Sequence, residues 1–138
     1  MNNDPSSITF ALLDKEKGIP DPAPVVGEEY PLPAWYRSVR NVPLEQLTVE
    51  DISKACRQGI HLKQVVPLAL KALGANPLEG EMYDGELLVS LKAVGRDYWS
   101  INTEDRASCL AILESSIVDF PEDVAEDANE LLSNVVAP

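Results

Sequence analysis

Residues 47–77 read LTVEDISKACRQGIHLKQVVPLALKALGANP. Two helices and the joint between them are legible in this one stretch. Thr48 is a good N-cap, because its hydroxyl can accept a bond from a backbone N–H left unpaired at a helix start. Asp51 stands at the third helical position and approximates a capping box, and Leu47 and Ile52 have the spacing of a hydrophobic staple. The first helix is expected from Val49 to Gln58, and Gly59 supplies the left-handed residue that closes it. The second covers Leu62 to Leu73 and stops at Gly74. Its apolar positions, Leu62, Val65, Val66, Ala69, Leu70 and Leu73, form one helical stripe. Pro67 sits inside this pattern; it removes a backbone donor, so it kinks the helix or marks its true first turn. Asn76-Pro77 then forces a turn.

Helical punctuation continues downstream. A third helix is expected from Asp84 to Val94, with Leu87, Leu88, Leu91 and Val94 buried and Gly95 ending it. A fourth begins after Asn102 or Thr103 and reaches Val118, with Ala107, Leu110, Ala111, Leu113 and Ile117 inward. A fifth starts around Pro121, a residue suited to the first helical position, and repeats Val124, Ala128, Leu131 and Val135. Upstream the character changes. Pro5, Pro20, Pro22, Pro24, Pro31 and Pro33, about half of the 11 prolines, precede Ala34. Ser7 to Leu13 places Ile8, Phe10 and Leu12 on one side of a strand or an extended arm. Gly18 to Pro33 reads as a Pro-rich linker that cannot form a helix. The expected fold is therefore all-α: one domain over 1–138, with an extended Pro-rich arm at 1–34 and a compact bundle of about five helices at 35–138. Trp35, Tyr36, Tyr98 and Trp99 flank the middle segment. They are expected to close the core at its edges, with the indole N–H groups finding partners.

Charge sets the class of partner. The chain holds 23 Asp+Glu against 11 Lys+Arg, a formal net charge of -12 on 138 residues. Past Arg106 there is no Lys or Arg, while Glu114, Asp119, Glu122, Asp123, Glu126, Asp127 and Glu130 follow. Such a surface attracts cations and basic proteins and repels nucleic acid and anionic membranes. No run approaches the ~18 apolar residues of a membrane span. Met1 to Ser7 lacks the basic and apolar regions of a signal peptide, so a cytoplasmic location is expected. Cys56 and Cys109 read as two buried thiols rather than a disulfide framework.

Catalytic chemistry is poorly supported. His61 is the only histidine; with no Cys-x-x-Cys beside it, neither a zinc site nor a nucleophile–base pair is expected, and it reads as a solvated or helix-capping residue. The carboxylates fall mostly on outer faces, where nothing raises a pKa. Phosphate-binding loops and EF-hand spacing are absent. No catalytic residue, cofactor or metal is therefore assigned. The acidic constellation is the best functional candidate. On the fifth helix Glu122, Asp123, Glu126, Asp127 and Glu130 occupy the side opposite Val124, Ala128 and Leu131. Like charges at i,i+4 cost a few tenths of a kcal/mol per pair, and the helix dipole offsets part of this for acids near the N-terminus. The face is either a solvated surface or a dock for a cationic protein. A second acidic patch, Glu79, Glu81, Asp84 and Glu86, leads into the third helix, where Asp84 and Glu86 could simply cap.

A longer series of residues adds to this reading. Trp35, Arg40-Asn41-Val42-Pro43-Leu44, Leu47-Thr48-Val49-Glu50-Asp51-Ile52, Arg57-Gln58-Gly59-Ile60, Val66-Pro67-Leu68-Ala69-Leu70, Asn76-Pro77-Leu78, Asp84-Gly85-Glu86-Leu87-Leu88 and Trp99 follow in order. Together they resemble the immunity proteins of contact-dependent growth inhibition (CDI) systems over about Ala34 to Trp99. The resemblance implies a non-enzymatic protein that binds and neutralises the C-terminal toxin domain delivered by neighbouring bacteria. Many such toxins are nucleases, and a nuclease cleft must be basic to hold phosphate. An acidic inhibitor complements it. The matched residues cap, bend and pack. Toxin contacts are therefore assigned to Glu122, Asp123, Glu126, Asp127 and Glu130, with Glu79, Glu81 and Asp84 as a weaker set. The alternative is an acidic adaptor that binds a basic protein with no toxin partner.

Overall fold

Thr48 does cap a helix. Its Oγ1 accepts from the Asp51 N–H at 3.1 Å, and the Asp51 carboxylate accepts from the Thr48 N–H at 3.1 Å. Gly59 closes the same helix at φ 68°. The computed structural model that shows this describes residues 8–20, 30–80 and 83–136. Among them are eight α-helices and two single 3₁₀ turns, with no strand. The chain divides into two compact units, one ending at Leu47 and the other beginning at Thr48.

The first unit holds α1 (Phe10–Glu16), α2 (Pro31–Val39) and a 3₁₀ turn at Leu44–Gln46. Two expectations are corrected here. The strand expected over Ser7 to Leu13 is largely α1. Thr9 caps it, Oγ1 accepting from the Leu12 N–H at 3.1 Å. Phe10, Leu13 and Asp14 are buried at helical spacing, while Leu12, which an alternating strand would bury, is exposed. The stretch expected to exclude a helix ends in one. Pro31 and Pro33 lie in the first turn of α2, where a missing N–H costs no intrahelical bond. α2 therefore runs across Ala34. Residues 21–29 of that stretch lie outside the described residues. Within the unit the Tyr36 hydroxyl donates to Asp14 Oδ2 at 2.6 Å, and the Phe10 and Tyr36 rings stack with centroids 5.6 Å apart.

The second unit runs through α3 (Val49–Gln58), α4 (Leu62–Ala75), α5 (Glu86–Leu91), α6 (Arg96–Ile101), α7 (Thr103–Ser116), a 3₁₀ turn at Ile117–Asp119 and α8 (Glu122–Val136). α4 continues through Gly74, with Pro67 exposed inside it. α5 is shorter than expected. From Lys92 to Val94 the chain tightens into bonds spanning three residues, and Gly95 caps α6, a helix the periodicity did not announce. Val65, Val66, Ala69, Leu70, Leu73, Leu87, Leu88, Leu91, Val94, Val124, Ala128, Leu131 and Val135 are buried as their spacing required. α7 turns a narrower face inward than expected. Cys109 and Leu113 are buried while Ala107 and Ala111 are exposed. Small alanines gain little from burial, so they do not set the phase of a helix. α3 packs on α4 and α5, α4 on α5 and α7, and α8 on α5, α6 and α7.

Trp99 lies at 0 % exposure, inside this core rather than at its edge, and its indole N–H has no hydrogen-bond partner among the described residues. Its area outweighs the unmade bond: burying a large aromatic contributes several kcal/mol, against ~1–3 kcal/mol for one unsatisfied donor. Tyr98 packs edge-on against it, centroids 5.4 Å apart, and donates its hydroxyl to Asp105 Oδ2 at 2.6 Å.

Candidate functional site

The acidic helix forms where the sequence places it. Pro121 lies one position before α8, and its carbonyl accepts the first helical bond, from the Ala125 N–H at 2.8 Å. Val124, Ala128, Leu131 and Val135 anchor the inner side. Glu122, Asp123, Glu126 and Glu130 are exposed, and Asp127 is half-buried.

The five acids are not equivalent. Lys92 reaches from α5 and places Nζ 2.8 Å from Asp127 Oδ1 and 2.7 Å from Glu130 Oε2. Hydrogen bonds to Asp127 and then Glu130 hold the ammonium above its usual pKa. These two carboxylates are thus engaged within the chain. Glu122 and Glu126 line a shallow open groove along α8 with Ala125, Asn129, Glu130, Ser133 and Asn134.

The second patch separates similarly. Glu79 Oε2 accepts from Asn76 Nδ2 at 3.1 Å in the α4–α5 loop. Asp84 is exposed. Glu81 lies outside the described residues. Glu86 belongs to neither an open patch nor a simple cap: it is 3 % exposed, and its Oε2 lies 3.8 Å from Arg57 Nη1. Gly85, at φ 86°, starts α5 against the first turn of α8; a Cβ there would lie 3.3 Å from Val124 Cγ2. The start of α5 therefore packs on the first turn of α8.

Groups that could do chemistry are held away from it. Burial pushes the Cys56 and Cys109 thiols up to about 12, so neither offers a thiolate. His61 is neither solvated nor a side-chain cap. It is buried in the left-handed region at φ 45°, and its side chain makes no capping bond to α4. Sequence reasoning missed a contact between carboxyl groups on α3 and α5. Glu50 has its carboxyl raised above the usual value, first by burial and then by a hydrogen bond with Glu86. Arg57 lies between them, with Nη2 3.5 Å from Glu50 Oε1. The spacing of Glu50, Ser53 and Arg57 puts all three on one stripe of α3. That stripe was the available signal, but nothing in the sequence said that α5 covers it. Among the described residues no group of three or more His, Cys, Asp or Glu is arranged to hold a metal ion, and no helix is long and apolar enough to cross a membrane.

The model of the family of CDI immunity proteins matches residues 21–109, well over half the chain. The chain belongs to the CDI immunity protein family. No curated protein matches it in sequence. In this CDI immunity protein the family match takes in α2 through α6 and the first half of α7. The rest of α7 and all of α8 lie beyond it. Family scaffold and acidic helix are therefore separable along the chain.

Proposed function

We propose that this CDI immunity protein works by binding rather than by chemistry. It neutralises the C-terminal toxin domain of a CDI system in the cytoplasm, and that toxin is a nuclease with a basic cleft. One observation supports the reading above the others. Glu122, Asp123 and Glu126 stand exposed on a helix outside the family match, in a stretch of chain with no Lys or Arg after Arg106. An anionic face of this kind draws in a cationic partner and raises the association rate, by up to about 10–1000-fold at low salt. Speed matters when a single toxin molecule turns over many substrates. Asp127 and Glu130, already paired with Lys92, contribute less; Glu79 and Asp84 extend the same field.

The test is charge reversal. The double change Glu122→Lys and Glu126→Lys, measured by stopped-flow association with the toxin domain of its CDI system, should slow binding at least about tenfold at low salt. It should also flatten the dependence of the rate on ionic strength. An unchanged rate and salt slope would remove α8 from the steering role.

A further inference from the structure

We propose that Lys92 is a specificity-determining residue of this immunity protein: it closes the C-terminal half of the α8 groove to cations and confines a basic partner to Glu122, Asp123 and Glu126. This rests on the immunity reading above and adds where on α8 a toxin's cations are read. Lys92 ends α5 and is the only Lys or Arg between Lys71 and Arg96. Its ammonium bridges two carboxylates of α8, Asp127 at 2.8 Å and Glu130 at 2.7 Å. Glu130 belongs to the groove as well as to this bridge, and its side chain is 55 % exposed. Lys92 thus reaches the groove's own lining. Further along the chain Arg96 donates from Nε to Asn134 Oδ1 at 3.4 Å, and Asn134 lines the same groove. Two cations from one short segment therefore stand along the C-terminal half. At the other end Glu122 and Glu126 line the groove and Asp123 is exposed next to Glu122 in the chain. Among the described residues no ion pair engages any of these three.

Distance decides how far this neutralisation extends. Along a helix, Glu126 and Glu122 lie about 6 and 12 Å from Glu130. The screening length at 0.1 M salt is about 10 Å. Lys92 therefore dominates at Glu130, weakens the field at Glu126 and is largely screened at Glu122. Part of its work is internal. It relieves the like-charge repulsion of Asp123 with Asp127 and of Glu126 with Glu130, each pair four residues apart. The same contact has a consequence for binding. An incoming Lys or Arg drawn to Asp127 or Glu130 must displace Lys92 or lie against it, and either is unfavourable. Partner choice is set by such repulsive elements as much as by attractive ones. A toxin whose basic side chains span about one helical turn fits the open end. One whose basic ridge runs the length of α8 is rejected.

Two measurements on the full chain test this. Lys92→Met keeps the aliphatic stem and removes the charge. Amide shifts recorded as a tetra-arginine peptide is added at low salt should centre on residues 122–126 in wild type and extend through 127–130 in Lys92→Met. Lys92→Arg, which keeps the charge, should keep the wild-type footprint. Stopped-flow association with the toxin domain of its CDI system should run about threefold faster for Lys92→Met at low salt, and the difference should disappear at high salt. In the wild-type background Glu130→Gln should change the association rate less than about twofold, against about threefold slowing for Glu126→Gln. That comparison holds even where a Lys92 variant fails to fold. A peptide footprint that is the same with and without Lys92, or a loss for Glu130→Gln equal to that for Glu126→Gln, would overturn the role of Lys92 while toxin binding and the immunity reading stand. If the footprint widens as stated and wild type does not bind the toxin domain, the immunity reading falls and takes the assignment to a toxin with it.

Discussion

Glu50 and Glu86 sit on facing helices and share one guanidinium. Arg57 lies 3.5 Å from Glu50 and 3.8 Å from Glu86, and it donates from Nη1 to Ser90 Oγ at 2.9 Å. Two carboxylates in contact cannot both ionise without repulsion. Lys54 and Arg57 on α3 lower the Glu50 carboxyl, burial and Glu86 raise it more, and the net shift is upward. The sign follows. A raised acid favours the protonated form in the folded state, so the stabilising contribution is complete below the ordinary value near 4.5 and is lost as pH climbs through the folded value. At neutral pH the pair works against the fold. Glu50→Gln should therefore stabilise the protein at pH 7 by about 1 kcal/mol, since the amide can donate to Glu86 and leave Arg57 to it alone. The gain should vanish near pH 4, where Glu50 is protonated already. Urea midpoints at the two pH values check this; an equal gain at both would mean that the pair is not the cause. Nothing local marked Glu50 as special. It reads as an ordinary acid in the first turn of a well-capped helix, and only its neighbour on α5 changes that.

α8 shows how an element can be written clearly and still depend on others. Its start, its buried side and its acidic side are all legible in order along the chain. Its end is not. The last turn contains no basic residue to satisfy the final carbonyls. Arg106 of α7 does so from outside, donating from Nε to the Val135 carbonyl at 2.9 Å and from Nη2 to that of Val136 at 3.0 Å. Arg106→Ala should cost about 1–2 kcal/mol and speed amide exchange over residues 132–136. Arg106→Lys should recover only part of this, because an ammonium cannot hold two carbonyls in one rigid fork. Exchange spread evenly over the whole helix would contradict a capping role. α3 and α8 were legible because each has a strong boundary signal and a regular apolar stripe. α1 and α6 were not. They are 7 and 6 residues long, too short for a period to declare itself, and α1 precedes a proline-rich stretch that argues for extended chain. α7 was found as a helix, and Cys109 and Leu113 reach the core as expected, but Ala107 and Ala111 do not.

Across the whole molecule the charge is divided unevenly. Four of the 11 basic and seven of the 23 acidic residues precede Thr48, so the second segment carries a formal −9 of the −12. Self-repulsion of this kind works against a compact state and is screened by salt. Raising NaCl from 20 mM to 500 mM should lift the melting temperature by roughly 3–5 °C, the equivalent of about 1 kcal/mol for a chain of this size. A falling melting temperature would mean that ion pairs such as Lys92 with Asp127 and Glu130 outweigh the repulsion. The helical class, the α3 boundaries, the start of α8, most of the buried positions and the sign of the net charge were settled along the chain alone. These rest on interactions within about four residues, on apolar period and on net charge, all of which survive without knowledge of what lies opposite. Which acids remain open, which are clamped by Lys92, and where Glu86 goes were decided only by tertiary structure. Those outcomes depend on pairs such as Lys92 with Asp127 and Gly85 with Val124, which lie tens of residues apart and meet only once the helices pack.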